Sequence, residues 1–213
     1  YMGFLKEIAE HKKITIRNIE HSSCPPFPDQ RSAKYVVPKN KDSCPEYNKM
    51  VRQVISDYDT ILVGASWPSY YNKPDEFRDD FTAMMDGLTS SGKKVIVALK
   101  VPIFKYYDRE CSAKALKIPA MDCEQLSQYK DEGELKVNNE IIKIVSNYKN
   151  ASILSIRDYI FKVGKCSAFI DGTPVYYDPG HLSTLGSEKI GRIAIEKNAV
   201  PHFLIPAAAD LEQ

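Results

Sequence analysis

The run Tyr176-Tyr177-Asp178-Pro179-Gly180-His181-Leu182-Ser183 holds the residue types best suited to chemistry. An Asp three residues ahead of a His, across a Pro-Gly turn, can bring a carboxylate to an imidazole. The carboxylate then fixes the ring tautomer and stabilises the imidazolium, leaving the second ring nitrogen as a general base. The same residues also read as a plain turn, with Asp178 initiating it, His181 at the surface and Ser183 capping the next helix. A base of this kind needs a nucleophile. Ser66 stands at the end of an apolar strand pattern, but Gly64-Ala65-Ser66 lacks the elbow spacing that exposes a serine. A small residue there also serves simply to admit Trp67. His21 near Cys24 has the composition of a thiol–imidazole pair, which a disulfide at Cys24 would remove. Asp79-Asp80 and Asp131-Glu132 lack the spacing of a calcium loop and read as helix-surface charge, so no metal site is expected.

These residues need a framework, and the apolar periodicity sketches one. Residues 1–11 read as an amphipathic helix, and 14–19 alternate Ile-Thr-Ile-Arg-Asn-Ile as a strand does. Residues 21–45 form a Pro- and Ser-rich loop, longer than compact domains tolerate unless it is functional or stapled. A helix over 46–58 leads to a buried strand over 60–65, which ends in Ser66-Trp67-Pro68. A second helix over 75–88 closes at Ser91-Gly92, and 94–99 is another buried strand. Residues 101–124 look irregular, 132–147 turn helical in their second half, and 152–156 make a short strand. A hairpin over 168–177 turns at Asp171-Gly172, and 183–198 form the last helix. Strands alternating with helices imply a three-layer α/β domain around a mostly parallel sheet. Ligands then bind beyond the carboxyl ends of the strands, which singles out the loops after Ile19, Gly64 and Leu99.

The chain has 213 residues, enough for one domain, assigned to 1–206. Residues 207–213, Ala-Ala-Ala-Asp-Leu-Glu-Gln, read as an appended cloning tail, and both ends suggest a domain excised from a larger protein. A formal net charge of +1 makes no electrostatic case for nucleic acid as the partner. No apolar run is long enough to cross a bilayer. Thirteen Tyr and thirteen Pro point to ordered loops and a surface suited to polar ligands. Cys24 in Ser-Ser-Cys-Pro-Pro and Cys44 in Asp-Ser-Cys-Pro are Pro-flanked, without Cys-x-x-Cys spacing. Loop cysteines of this kind read as a disulfide closing a long loop, which needs an oxidising compartment. An odd count of five cysteines leaves one over.

The block Asp178-Pro179-Gly180-His181-Leu182-Ser183 with Gly186 resembles the last motif of the SGNH hydrolase superfamily, the GDSL-like esterases. Cys24-Pro25-Pro26 after the second strand, and the apolar strand running Ile61-Leu62-Val63-Gly64-Ala65-Ser66-Trp67, resemble more closely the periplasmic SGNH domains fused behind acyltransferase-3 membrane proteins. The three blocks stand in the family's order and span most of the chain. The resemblance implies an SGNH/flavodoxin-like parallel sheet flanked by helices, and a disulfide from Cys24 to Cys44. Cys111 and Cys123 are candidates for a second staple, leaving Cys166 buried or paired outside this chain. The family's nucleophile lies in a Gly-Asp-Ser-His block on the first strand. This sequence contains no Gly-Asp-Ser, so that strand is expected to be absent or to lie ahead of Tyr1.

What the resemblance implies is acyl-ester chemistry: O-acetyl transfer to a bacterial surface polysaccharide, with His181 as base and Asp178 as its orienting acid. Backbone N–H groups near Ser22 and Ser23 are the oxyanion candidates. Gly64, Ser66 and Trp67 complete the oxyanion and substrate candidates, with no counterpart to the family's block-three Asn among them. Trp67 and the Tyr70-Tyr71 pair are expected to offer faces on which a sugar stacks. The partners implied are a glycan acceptor, an acetyl donor and a membrane acyltransferase-3 domain that tethers the domain in the periplasm. No metal or organic cofactor is implied. A carbohydrate deacetylase, or a catalytically incomplete glycan-binding scaffold, is the alternative.

Overall fold

Apolar residues at spacings of three and four build the first helix, α1 (Met2–Lys12), which buries Phe4, Leu5 and Ile8. It ends where Lys13 adopts the left-handed conformation and returns its N–H to Ala9. The structure is a computed structural model that describes residues 1–127, 133–162 and 165–204. The tail expected over 207–213 and the Asp131-Glu132 pair lie outside the described residues. After α1 come α2 (Ser43–Val54), β1 (Thr60–Gly64), α3 (Pro74–Thr89), β2 (Lys94–Ala98), two short helices α4 (Cys111–Ala115) and α5 (Cys123–Leu126), α6 (Gly133–Val145) and β3 (Ala151–Leu154). The last stretch holds α7 (Arg157–Ile160), β4 (Phe161–Lys162), β5 (Lys165–Cys166), β6 (Phe169–Ile170), β7 (Thr173–Pro174), β8 (Tyr176–Asp178), β9 (His181–Leu182) and α8 (Thr184–Glu196). The chain divides into two compact units.

One unit, Asn18–Lys100 with Glu134–Leu154, carries a parallel sheet in the order β1-β2-β3. Thr60 pairs with Lys94 and Gly64 with Ala98 on one side of β2, and Val95 pairs with Ala151 on the other. Val95, Ile96, Val97 and Ala98 are all buried, the continuous apolar run of a strand covered on both faces. Helices α3 and α6 supply Phe77, Phe81, Met84, Met85, Val137 and Ile141 to the same core, where Phe27 and Trp67 join them. The long loop before α2 is not loose. Cys24 and Cys44 form a disulfide, and Asn48 donates to the carbonyls of Pro25 and Phe27 at 2.8 and 3.0 Å. Farther along, the buried carboxylate of Asp80 on α3 receives Arg31, Lys34 and Tyr35, at 2.7, 3.1 and 2.9 Å. All three donors come from one 3-10 segment, Asp29–Tyr35.

The other unit, Tyr1–Arg17 with Val101–Gly133 and Ser155–Gln213, is built on α1 packed against α8. The two backbones approach so closely that a Cβ on Gly3 would stand 2.7 Å from the Thr184 carbonyl, and one on Gly191 would stand 2.9 Å from Glu7 Cβ. Ser187 Oγ accepts the Phe4 N–H at 2.9 Å inside that contact. A second disulfide joins Cys111 to Cys123, and neither disulfide includes Cys166. The hairpin expected at Asp171-Gly172 is β6–β7, with Gly172 at φ 71° where an L side chain would be strained.

Three sequence expectations need correction. Residues 14–19 form no strand: the alternation is there, but among the described residues no neighbouring strand offers a ladder, and Ile16 is 40% exposed. Helix α2 begins at Ser43 rather than 46, so Cys44 sits in its first turn, where Pro45 is tolerated because the first N–H groups have no helical acceptor. Residues 101–124 hold the short helix α4 and the start of α5 instead of being irregular throughout.

Candidate active site

Asp178 and His181 meet across the tight reversal between β8 and β9, where they are direct backbone partners. Both carboxylate oxygens of Asp178 stand 2.9 Å from His181 Nδ1, and Oδ1 also accepts the Gly180 N–H at 2.8 Å. Burial pushes the Asp178 carboxyl up, but the Gly180 amide and the His181 ring outweigh it and hold the group below its ordinary value. An ionised carboxylate can only accept, so the proton of a neutral His181 ring belongs on Nδ1 and the lone pair on Nε2. Nε2 has no hydrogen-bond partner among the described residues, and the ring is exposed. An imidazole held in this way has the geometry that general-base chemistry requires.

The turn is fixed from two directions. From the loop after β2, the Phe104 N–H donates to the Pro179 carbonyl at 2.8 Å. Tyr107 Oη donates to the Tyr176 carbonyl at 2.7 Å, and Tyr176 Oη to the Pro102 carbonyl at 2.8 Å. The rings of Phe104 and Tyr176 meet edge to face, 4.8 Å between centroids. From the other side, Ser183 caps α8 by accepting the Gly186 N–H at 2.9 Å while its own N–H donates to the Val175 carbonyl at 3.0 Å. A Cβ at Gly186 would lie 2.1 Å from that same carbonyl, so only glycine lets the helix start this close to β8. Gly186 belongs to the motif noticed in the sequence. Phe104 and Tyr107 as supports are not legible in the sequence beyond an aromatic cluster inside a stretch read as irregular, and Tyr176, though it opens the Tyr176–Ser183 run, gives no local sign of its bonds to that cluster.

The remaining candidates belong to the sheet-bearing unit. Ser22 and Ser23 form an exposed turn with Ser23 at φ 62°, and neither amide donates to a carbonyl among the described residues. His21 Nδ1 stands 2.7 Å from the Ser22 carbonyl, and its ring lies against Tyr47. With Cys24 in a disulfide, no thiol–imidazole pair exists there. Gly64 faces Ala98 across the sheet, where a Cβ would come within 3.3 Å of the alanine methyl. Ser66 Oγ pairs with Ser69 Oγ at 3.1 Å, and its carbonyl starts the 3-10 turn Trp67–Tyr70.

Trp67 is not a surface platform. It is 0% exposed, packs edge-on against Phe77 and Phe81, and donates Nε1–H to the Ala98 carbonyl at 2.8 Å. Tyr70 is buried beside Phe27, and Tyr71 is half-buried against Phe77. The expected stacking surface is thus core, because the indole N–H finds an acceptor inside and leaves no reason for the ring to stay wet. Among the described residues, no three His, Cys, Asp or Glu side chains come together as a metal-binding group.

A parallel sheet with flanking helices and an Asp-x-x-His turn capped by the last helix defines an SGNH-type α/β domain. Residues 1–196 match the family described as SGNH domain (fused to AT3 domains), and the chain belongs to that family. Among solved structures, the fold is similar to the periplasmic domain of the lipopolysaccharide acetyltransferase of Salmonella ser. Paratyphi A. The TM-score is 0.66 at 13% sequence identity, covering 93% of this chain and 78% of that one. No curated protein matches the sequence. No helix among the described residues is long and apolar enough to cross a membrane.

Proposed function

We propose that this chain, over residues 1–206, is the extracytoplasmic acyl-transfer domain of an O-acetyltransferase acting on a bacterial surface polysaccharide, O-antigen or a similar glycan. It works beside an acyltransferase-3 membrane domain that tethers it and delivers the acetyl donor. The observation that carries the reading is the Asp178–His181 pair, with both carboxylate oxygens on Nδ1 and Nε2 left open, in a chain of this family. Two disulfides support a periplasmic setting, and the fold neighbour is itself the periplasmic domain of a lipopolysaccharide acetyltransferase.

In this reading a serine ahead of Tyr1 attacks the acetyl carbonyl while His181 Nε2 takes its proton. Asp178 holds the ring and stabilises the imidazolium. Collapse returns the proton to the departing donor and leaves the acetyl ester on the serine. A sugar hydroxyl then attacks that ester as His181 takes the hydroxyl proton, and the serine is released with its proton restored.

The test is a fluorophosphonate probe on the full-length protein, with peptide mapping, followed by transfer assays on His181→Ala. Expected are one adduct on a serine preceding Tyr1 and a loss of transfer of about 10³-fold or more with the fold intact. An adduct on Ser66 would reassign the nucleophile, and wild-type transfer in the variant would reject the triad. No adduct and no transfer would leave a glycan-binding scaffold. The exposure of His181 favours one second reading, hydrolysis of an acetylated glycan, since water reaches Nε2 as readily as a sugar hydroxyl does. Product analysis separates free acetate from acetylated glycan.

A further inference from the structure

With Trp67 and Tyr70 in the core, the aromatic surface has to be sought elsewhere, and two exposed rings stand on the segments that form and support the Asp178–His181 turn. Tyr106 is 61% and Tyr177 57% exposed. Tyr177 directly precedes Asp178 on β8. Tyr106 sits between Phe104, whose N–H binds the Pro179 carbonyl, and Tyr107, whose hydroxyl binds the Tyr176 carbonyl. Both rings therefore ride on two segments already laced to each other, so little ordering remains for a ligand to impose.

Each ring also carries a cation. The Arg109 guanidinium lies 4.9 Å from the Tyr177 centroid, and Lys105 Nζ lies 5.9 Å from that of Tyr106. Among the described residues neither cation has a carboxylate partner. The acids closest in sequence are committed elsewhere: Asp108 to Lys114 at 2.5 Å, Glu110 to the same Lys114 at 3.9 Å, and Asp178 to His181. The Arg109 guanidinium is engaged with Tyr177, its hydroxyl as well as its ring, and with no carboxylate on it the rest of its five-donor fork is left for an incoming anion.

We propose that this surface is the glycan subsite and that it takes an acidic sugar, a pyranose bearing a carboxylate. The pyranose packs its C–H face on the tyrosines while Arg109, aided by Lys105, holds the carboxylate. The inference rests on the acetyl-transfer reading for its biological meaning, but its test needs no acyl donor. The full-length protein, isotopically labelled over this domain, would be titrated with tetragalacturonate and with its methyl ester while backbone amides are followed by NMR. Expected are shifts confined to 104–109 and 176–182, with the ester binding roughly fivefold or more weakly. Arg109→Gln should weaken the acid by a similar factor and leave the ester unaffected, and Tyr177→Leu should weaken both. Equal binding of acid and ester, shifts elsewhere, or no shifts at all would overturn the subsite. Binding without transfer would reject the acetyl-transfer reading alone, and transfer without binding would reject this inference alone.

Discussion

Along β2, from Val95 to Ala98, every residue is buried, whereas from Tyr176 to His181 burial changes at almost every step. The sheet is held by summed contacts among Phe77, Phe81, Trp67, Val97 and Ile141, none of which decides the outcome alone. The turn is held by a few directional bonds, Phe104 to Pro179, Tyr107 to Tyr176 and Asp178 to His181, each irreplaceable in geometry. Damage to the sheet should therefore appear as lost stability with chemistry following it down. Damage to the turn should appear as lost chemistry in a protein that still melts normally.

Asp178→Asn is the sharpest break. It keeps the shape but offers Nδ1 an amide in place of an anion, so the ring loses its fixed tautomer and its stabilised imidazolium. Transfer should fall by about 10³–10⁴-fold, with the thermal midpoint close to wild type. A large drop in midpoint with transfer retained would show that the pair is structural and the comparison wrong.

Trp67→Ala should do the reverse. Removing a fully buried indole from the aromatic cluster costs about 3–5 kcal/mol, and the Ala98 carbonyl loses its donor as well. Urea unfolding should show that loss, while the fraction still folded transfers acetyl at the parent rate. Reduced transfer in fully folded variant protein would return Trp67 to the substrate site.

This contrast also explains what the sequence could reveal. The run over 94–99 is legible because burial on both faces demands an unbroken apolar string, and the structure has β2 there; 60–65 is legible from Ile61-Leu62-Val63, although β1 at the sheet edge buries only Ile61 and Val63 fully. The contact between Asp178 and His181 is legible because its geometry is local, three residues across a Pro-Gly turn. Tyr107 reaches a carbonyl 69 residues away and Tyr176 one 74 residues away, and no local pattern records such partners. Trp67 was misread for the same reason: a tryptophan at a strand end faces inward or outward according to whether its N–H finds an acceptor, here Ala98. Residues 14–19 show that alternation is a strand's preference, while the strand itself requires a ladder.

Acid exposes the smallest difference between the regions. Asp80 and Asp178 are both held below the ordinary carboxylate value of 3.8. In each, burial acts upward and is outweighed: by Arg31, Lys34 and Tyr35 for Asp80, and by Gly180 and His181 for Asp178. A carboxyl depressed in the folded state binds its proton first in the unfolded chain. Its contribution is complete above the unfolded value and disappears as pH falls through the folded one. Stability from these groups should thus be level from neutrality to about pH 5 and decline below about pH 4. Asp80 is only 1% exposed, while Asp178 is open enough for water to screen its interactions. Asp80→Asn should therefore flatten the acid limb of urea-unfolding free energy more than Asp178→Asn does. An equal flattening would mean that the turn, like the clamp on α3, is held chiefly by charge rather than by its neutral hydrogen bonds.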